Sequence, residues 1–328
     1  GIYGMEAFAM ERSAFELRIT DFKSEAKDIV VLELQHPEKK PLSPFTAGSH
    51  LEVYLQNGCI RHYSLLNCPS ETHRYVIAVG LAPNGRGGSQ NIHQALRMGD
   101  LLKVSPPRNN FSLVDASEYC FIAGGIGITP ILSMIRRCIA QGKKWRLFYS
   151  VRNKQRAGFY EELQQLSESN IHFHFNDEHE GCQLDISKVI ASLSPEEHLY
   201  CCGPEALMQS VKDAAHHLPA QHVHFEWFSA PASVQAATDT GGFRVKLKRS
   251  GQEIQVMADQ SILDVLEQAG MDLPFSCRAG ICRTCEVTVC SGTPDHLDMI
   301  LSDEEKAANT SMLICVSRAK SAMIELDL

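Results

Sequence analysis

Between residues 13 and 115, apolar side chains recur at every second position. Phe15, Leu17 and Ile19 form one series and Val30, Leu32 and Leu34 a second. Leu51, Val53 and Leu55 form a third, and Tyr75, Ile77 and Val79 a fourth. Strict alternation marks a strand with one buried face. Turn-forming stretches at 41–48, 56–58 and 82–88 separate the series, so several short strands follow one another as in an antiparallel sandwich or barrel.

The period changes at residue 119. A continuous apolar run, 119–123, leads into a glycine turn and then Thr129-Pro130-Ile131. Thr129 suits an N-cap and Pro130 the first helical position. Ile131, Leu132, Met134, Ile135, Cys138 and Ile139 keep helical spacing until Gly142. Strands at 145–151, 171–175, 199–202 and 223–228 then alternate with helices at 159–167 and 204–217. That alternation predicts βαβ units around a parallel sheet.

Residues 229–240 are small, polar and nearly uncharged, which reads as a linker. Alternation resumes at Phe243, Val245 and Leu247 and again at Ile254 and Val256. An amphipathic helix at 261–269 ends before Gly270. No internal repeat or low-complexity tract interrupts the 328 residues, a length for two to three domains.

Composition narrows the function classes. No apolar run approaches the roughly 18 residues of a membrane span. A net charge of -8 lacks the field expected of a general nucleic-acid binder. Residues 241–328 hold 9 basic and 13 acidic side chains, which weakly favours a partner with a basic docking face. Residues 1–10 show no secretory leader, so a cytoplasmic location is expected and a disulfide scaffold is the weaker reading of the 12 cysteines. Cys59, Cys68, Cys120, Cys138, Cys182 and Cys290 are expected to pack as small hydrophobes.

The other cysteines carry chemistry. Cys277, Cys282, Cys285 and Cys315 have the C-x4-C-x2-C…C spacing of a plant-type [2Fe–2S] site. Ala279-Gly280 keeps the loop slim where it wraps a cluster. Zinc is the rival, but a zinc ribbon uses two Cys-x2-Cys knuckles and this region has one. The turn at 124–130 lies between a buried strand and a helix, where backbone N–H groups meet a pyrophosphate. Cys202-Gly203-Pro204 repeats that design along the same sheet. In the β-rich part, Arg61-His62-Tyr63-Ser64 and Gly85-Arg86-Gly87-Gly88-Ser89 supply an arginine, hydroxyls and a glycine turn, as a phosphate and a flat polar ring system require. His172/His174 and His222/His224 each share a strand face, with no acidic or cysteine partner to complete a metal set.

In order, Arg61-x-Tyr63-Ser64, Gly87-Gly88-Ser89, the 124–130 turn, Cys202-Gly203-Pro204, Glu226-x-Phe228 and the four cluster cysteines resemble the phthalate dioxygenase reductase family. The tail from Asp295-His296-x-Asp298-Met299 to Ser317-Arg318-Ala319 is also similar. The resemblance implies a multidomain chain. An antiparallel β-barrel FMN domain would occupy 1–115 and an α/β parallel-sheet NAD domain 116–228. The linker 229–240 would lead to an α+β β-grasp ferredoxin domain at 241–328.

It also implies roles. Arg61, Tyr63 and Ser64 would hold the flavin, with Gly87, Gly88 and Ser89 at its phosphate. Gly125, Gly127, Thr129 and Pro130 would form the dinucleotide turn, with Gly203 and Pro204 beside it. Cys202, Ser64 and Glu226 would flank the reacting rings, and Phe228 would cover the isoalloxazine. Arg283-Thr284, between the second and third ligands, is bulkier and more basic than the family's usual pair.

A nicotinamide gives two electrons together and a [2Fe–2S] cluster takes one, so FMN would mediate. Electrons would run from NADH through FMN and the cluster to a separate Rieske-type oxygenase component. The NADH preference comes from the resemblance alone, because Arg152, Lys154 and Arg156 are placed to meet a 2′-phosphate. Rival readings are the same path feeding a cytochrome monooxygenase, a flavin/iron–sulfur redox sensor, and a zinc-bearing oxidoreductase.

Overall fold

In a computed structural model, which describes residues 14–56, 58–81, 88–231 and 241–328, the first alternating series becomes an antiparallel sheet. Its strands are β1 (Phe15–Ala26), β2 (Ile29–Gln35), β3 (His50–Tyr54), β4 (Ile60–Ser64), β5 (Tyr75–Gly80) and β6 (Leu101–Val104), in the order β4-β3-β6-β1-β2-β5. A bridge between Leu65 and Ile77 joins the end of β4 to β5 and closes the sheet into a barrel. Leu17, Ile19, Leu32, Leu34, Leu51, Val53, Ile77 and Val79 fill its interior. Helix α1 (Gly88–Ala95) follows β5. Gly85, Arg86 and Gly87 lie outside the described residues, as do positions 232–240 of the expected linker.

The second sheet is wholly parallel. Strands β7 (Glu118–Gly124), β8 (Lys144–Val151), β9 (Ile171–Phe175), β10 (Glu197–Cys202) and β11 (Val223–Glu226) take the order β11-β10-β7-β8-β9. Four helices alternate with them: α2 (Ile128–Gln141), α3 (Tyr160–Leu166), α4 (Ile186–Ala191) and α5 (Glu205–Ala214). Helix α2 buries Ile131, Leu132, Met134, Ile135 and Cys138 and stops at Gly142, whose φ of 66° is left-handed.

Glu11–Phe228 form one compact unit. The reason lies in β2 and β5, which are apolar on both faces. Leu32 and Ile77 point into the barrel, while Ile29, Val31, Val76 and Ala78 join Phe121, Ala123, Ile128 and Ile131 of the parallel sheet in one core. The two expected domains therefore share a buried seam.

Ser229–Leu328 belong to a second unit. Strands β12 (Phe243–Leu247), β13 (Glu253–Val256), β14 (Glu286–Ser291), β16 (Ser311–Leu313) and β18 (Met323–Leu326) form a mixed sheet, order β13-β12-β18-β14-β16. Strands β15 (Pro294–Asp295) and β17 (Arg318–Ala319) pair apart from it. β12 and β18 run parallel, and α6 (Ile262–Gln268) contributes Ile262, Leu263, Val265 and Leu266 to the core. A capping box between Ser261 and Asp264 starts α6. A short helix α7 (Asp303–Ala308) begins with the same device at Ser302 and Glu305. This is the α+β arrangement of a β-grasp.

The scattered cysteines do not behave alike. Cys120 and Cys138 are buried as expected, and Cys59 and Cys68 are half-buried. Cys182 and Cys290 are exposed, against expectation. Cys182 lies in a polar turn and Cys290 near the end of β14, a strand with no fully buried residue.

Candidate functional site

Strands β7 and β10 lie side by side, and their chains leave toward opposite ends of the sheet. Such a switch point opens a crevice at the carboxyl ends of the strands. Two turns meet there. A Cβ on Gly127 would fall 2.2 Å from the carbonyl oxygen of Cys202, and one on Gly203 would fall 3.0 Å from the amide nitrogen of Gly124. The turns interlock backbone to backbone, so Gly127 and Gly203 are required by packing. Gly125 differs: its φ is +52° and the space beside it is open. Gly127→Ala is expected to cost about 1–3 kcal/mol, because backbone must shift. Thermal unfolding reads this as a Tm lower by roughly 2–12 °C.

Thr129 is not the helix cap. A 3-10 turn, Gly125–Gly127, runs directly into α2, whose N-cap is Gly127. Thr129 and Pro130 are therefore buried within the first helical turn, and the Thr129 hydroxyl donates to the Ile126 carbonyl at 3.1 Å. The 3-10 turn moves the cap two residues earlier than the sequence pattern implied.

On the barrel side, β4 carries Arg61, Tyr63 and Ser64. The Arg61 side chain lies along the start of α1, where a Cβ on Gly88 would come within 2.6 Å of its Nε. Arg61 also donates to the Ile60 carbonyl at 2.9 Å. Ser89, half-buried, belongs to the same first turn. An arginine beside a helix N-terminus suits a phosphate. Burial pushes the Tyr63 phenol up to about 12, although Arg61 pulls it down.

Ser64 is buried, and its hydroxyl donates across the seam to Glu226 Oε1 at 3.4 Å. Glu226 is the register partner of Cys202 between β11 and β10. Burial pushes the Glu226 carboxyl up to about 8, with the Ser64 hydrogen bond opposing. Burial, then the neighbouring Glu226, also holds the Cys202 thiol well above its ordinary value. Ser64 and Cys202, both buried, and the half-buried Glu226 thus form one polar group where the barrel meets the parallel sheet. Phe228 follows β11 with 39% of its surface exposed, free to cover a planar ring.

A cleft of about 390 Å³ extends from this crevice, lined by Gly125, Pro204, Ser150, Arg152, Arg156 and Asn176 among others. Asn176 was not anticipated. It follows directly on β9, so the rule that ligands gather at strand ends would have found it.

In the second unit, the four thiols converge. Cys277 accepts hydrogen bonds from the thiols of Cys282 and Cys315 and from the amides of Ala279 and Ile281, which together lower its pKa. Cys285 is lowered chiefly by the Cys315 thiol. The donors, Cys282 and Cys315, are raised. The contacts run Cys282–Cys277–Cys315–Cys285, so all four thiols face one site and would together hold a [2Fe–2S] cluster. Amides directed at sulfur are what a cluster loop needs.

Two arginines clamp that loop, and neither clamp was foreseen. Arg278 pairs with Glu267 of α6 at 2.6 Å, and Arg283 holds Glu305 of α7 through contacts of 2.8 and 2.6 Å. Gly280, φ +71°, passes so close to Val316 that a Cβ would lie 2.6 Å from its Cγ2. The bulk of Arg283 is thus accommodated by α7.

Comparison with known proteins places this geometry. Residues 245–320 match the 2Fe-2S iron-sulfur cluster binding domain and residues 121–213 the oxidoreductase NAD-binding domain. Tetrachlorobenzoquinone reductase of Sphingobium chlorophenolicum is 43% identical over 96% of this chain and 98% of its own length. Phthalate dioxygenase reductase of Burkholderia cepacia is 42% identical over 97% and 98%. The chain belongs to the phthalate dioxygenase reductase family. A solved phthalate dioxygenase reductase, described as a modular structure for electron transfer from pyridine nucleotides to [2Fe-2S], superposes with a TM-score of 0.72 at 42% identity, covering 97% of this chain and 99% of that one.

This reductase also superposes on an intact type IV self-sufficient cytochrome P450 monooxygenase, with a TM-score of 0.87 at 35% identity. The match covers 96% of the reductase but only 41% of that longer chain. The reductase is an oxidoreductase with a nicotinamide site and a [2Fe–2S] domain on one chain. Its fold class is the one the alternating patterns and the resemblance implied.

Proposed function

We propose that this reductase carries electrons from NADH through FMN to its [2Fe–2S] centre and on to a separate Rieske-type oxygenase component. The observation that carries this reading is the meeting of Ser64, Cys202 and Glu226 where the barrel joins the crevice of the parallel sheet. A flavin ring seated against β4 and a nicotinamide entering over Cys202-Gly203-Pro204 would touch at that group.

FMN, when bound, supplies the change from a two-electron donor to a one-electron acceptor. Arg61, Gly88 and Ser89 hold its phosphate, with Gly87 adjoining in sequence. Tyr63 and Ser64 position the ring and Phe228 covers it. Gly125, with Gly127, Thr129 and Pro130 shaping its turn, admits the pyrophosphate, while Gly203 and Pro204 line the approach. Glu226, neutral at pH 7, keeps negative charge away from a ring that must accept electrons. Cys277, Cys282, Cys285 and Cys315 ligate the cluster.

The acceptor reading is supported by relatives named as dioxygenase reductases. It is also supported by the acidic balance of residues 241–328, 13 acidic against 9 basic side chains, which suits a basic docking face. Among the described residues no helix is long and apolar enough to cross a membrane, and a cytoplasmic location belongs to the same proposal.

The test is an anaerobic visible spectrum of the purified protein before and after stoichiometric NADH. Overlapping flavin and iron–sulfur bands are expected, and both should bleach rapidly. A protein with flavin bands only, still free of iron and sulfide after anaerobic reconstitution, would sink the electron path. Electron delivery is then measured with a purified Rieske-type oxygenase, where turnover is expected and its absence would sink the acceptor assignment.

A further inference from the structure

Two arginines border the ligand cysteines, Arg278 directly after Cys277 and Arg283 directly after Cys282. Net charge near an iron–sulfur cluster is one of the quantities that set its reduction potential. A cation there favours the form that has gained an electron. Left alone, two guanidiniums would make the cluster easy to reduce and slow to pass its electron on. Each is instead met by two carboxylates. Arg278 pairs with Glu267 at 2.6 Å and Asp264 at 3.6 Å, both on α6. Arg283 pairs with Glu305 at 2.6 Å and Glu286 at 3.3 Å.

The second set decides more, because Arg283 stands where the family's usual pair is smaller and less basic. Its neighbour Thr284 faces the ligand, with its hydroxyl oxygen 3.5 Å from the Cys282 sulfur. The Arg283 side chain runs instead to α7. There it donates to both oxygens of Glu305, at 2.8 and 2.6 Å, the two-pronged geometry that fits a guanidinium to a carboxylate. The counter-charges are themselves held. Glu305 Oε1 accepts from the Ser302 amide at 3.0 Å, and Glu286 accepts from the Ser311 hydroxyl at 2.9 Å. Helix α7 has no buried residue, so packing of its own does not bring Glu305 to the cluster loop. The Arg283 pair does so, with a second tie from Lys306 Nζ to the Asp298 carbonyl at 2.9 Å. Only 34% and 38% of the Arg283 and Glu305 side chains are exposed, so solvent screens the pair less than an open surface pair.

We infer that Glu305 is a positioning residue that cancels the Arg283 charge, so that the cluster beside it stays a strong one-electron donor. The inference rests on the reading above that Cys277, Cys282, Cys285 and Cys315 hold the cluster.

The full chain with its cluster is titrated against mediators of known potential, and the reduced fraction is followed by visible and electron paramagnetic resonance spectra. The ratio of reduced to oxidised cluster at a fixed solution potential does not depend on how much cluster each preparation retains. Glu305→Gln keeps the shape and leaves one positive charge uncancelled, so this ratio is expected to rise about two- to tenfold. Arg283→Gln leaves the carboxylates uncancelled, and the ratio is expected to fall by a similar factor. The double variant Arg283→Gln/Glu305→Gln restores the net charge while abolishing the ion pair. Its ratio should return to within about twofold of the parent's. Both single effects should shrink as salt rises.

Single variants that move the ratio in the same direction, or not at all, overturn the inference, because the pair would then only hold α7 in place. A double variant that keeps the shift of either single variant overturns it in the same way. A parent protein without iron–sulfur absorption overturns the ligand reading of the four cysteines, and this inference with it.

Discussion

Cys285→Ser is expected to yield a protein without iron, labile sulfide or iron–sulfur absorption, in which NADH still bleaches the flavin but no electrons reach an oxygenase. The loss should be complete, because residues 277–285 contain no helix or strand that could hold the loop by a hydrogen-bond ladder. Thiolate–iron bonds are the main ties left, joined by the Arg278–Glu267 and Arg283–Glu305 clamps. Metal binding in such a site is also folding free energy, so the second unit should unfold at lower temperature as well. Flavin reduction survives because Glu11–Phe228 form a compact unit of their own.

Cys290→Ser is the matched control. Cys290 is exposed and stands outside the C-x4-C-x2-C…C set, so iron content and electron delivery should match the unaltered protein. Iron and sulfide assays, the visible spectrum and turnover with an oxygenase check both variants. A Cys285→Ser protein with full iron and normal turnover would show that the cluster lies elsewhere.

What could be read from the sequence follows from how each element is stabilised. β1 is legible because one buried face imposes a period of two, and α2 because a buried stripe imposes one of 3.6, whereas β2 and β5, apolar on both faces, show alternation only through the residues that fill the barrel. Helix α1 left no such trace: in Gly-Ser-Gln-Asn-Ile-His-Gln-Ala only Gly88 and Ile92 are buried. Its first residue, Gly88, falls in the turn-forming stretch 82–88. α7 buries nothing and rests on its Ser302–Glu305 capping box. β14 has no fully buried residue, so pairing with β16 and β18, and not patterning, makes it a strand.

The candidate site divides the same way. Three of the four cluster cysteines lie within nine residues, so spacing alone exposes the motif. Ser64 and Glu226 are 162 residues apart. No local pattern links them, and only resemblance to a known family brought them together before the fold did. The histidines show the limit from the other side. His222 and His224 were seen as a pair, but β10 adds His198, whose Nδ1 lies 3.0 Å from His224 Nε2. That partner is 26 residues away and depends on strand order.

The pH dependence of flavin reduction should be set by Glu226. Burial raises its carboxyl from 4.5 to about 8, and the Ser64 hydroxyl pulls only part of the way back. Below about 8 the side chain is therefore neutral. As it ionises, a negative charge appears beside a ring that must itself gain electrons, and like charges disfavour each other most in a poorly solvated seam. The rate of flavin reduction by NADH is thus expected to be level on the acid side and to fall as pH rises through about 8.

Glu226→Gln keeps the shape and the neutral state, so its profile should lose that fall. Glu226→Ala also removes the titrating group, so it too should lose the fall, while leaving the Ser64 hydroxyl without its acceptor. Stability gives an independent reading of the same group. Because the folded value lies above the unfolded one, the native state holds the extra proton between pH 4.5 and 8. Its contribution is complete below that window and declines through it as pH rises. The glutamine variant has no such decline, so its stability relative to the parent should grow steadily across the window. Stopped-flow flavin reduction and thermal unfolding, each run over pH, measure the two effects. Superimposable profiles for the parent and Glu226→Gln in both experiments would mean that this carboxyl does not titrate where its burial places it.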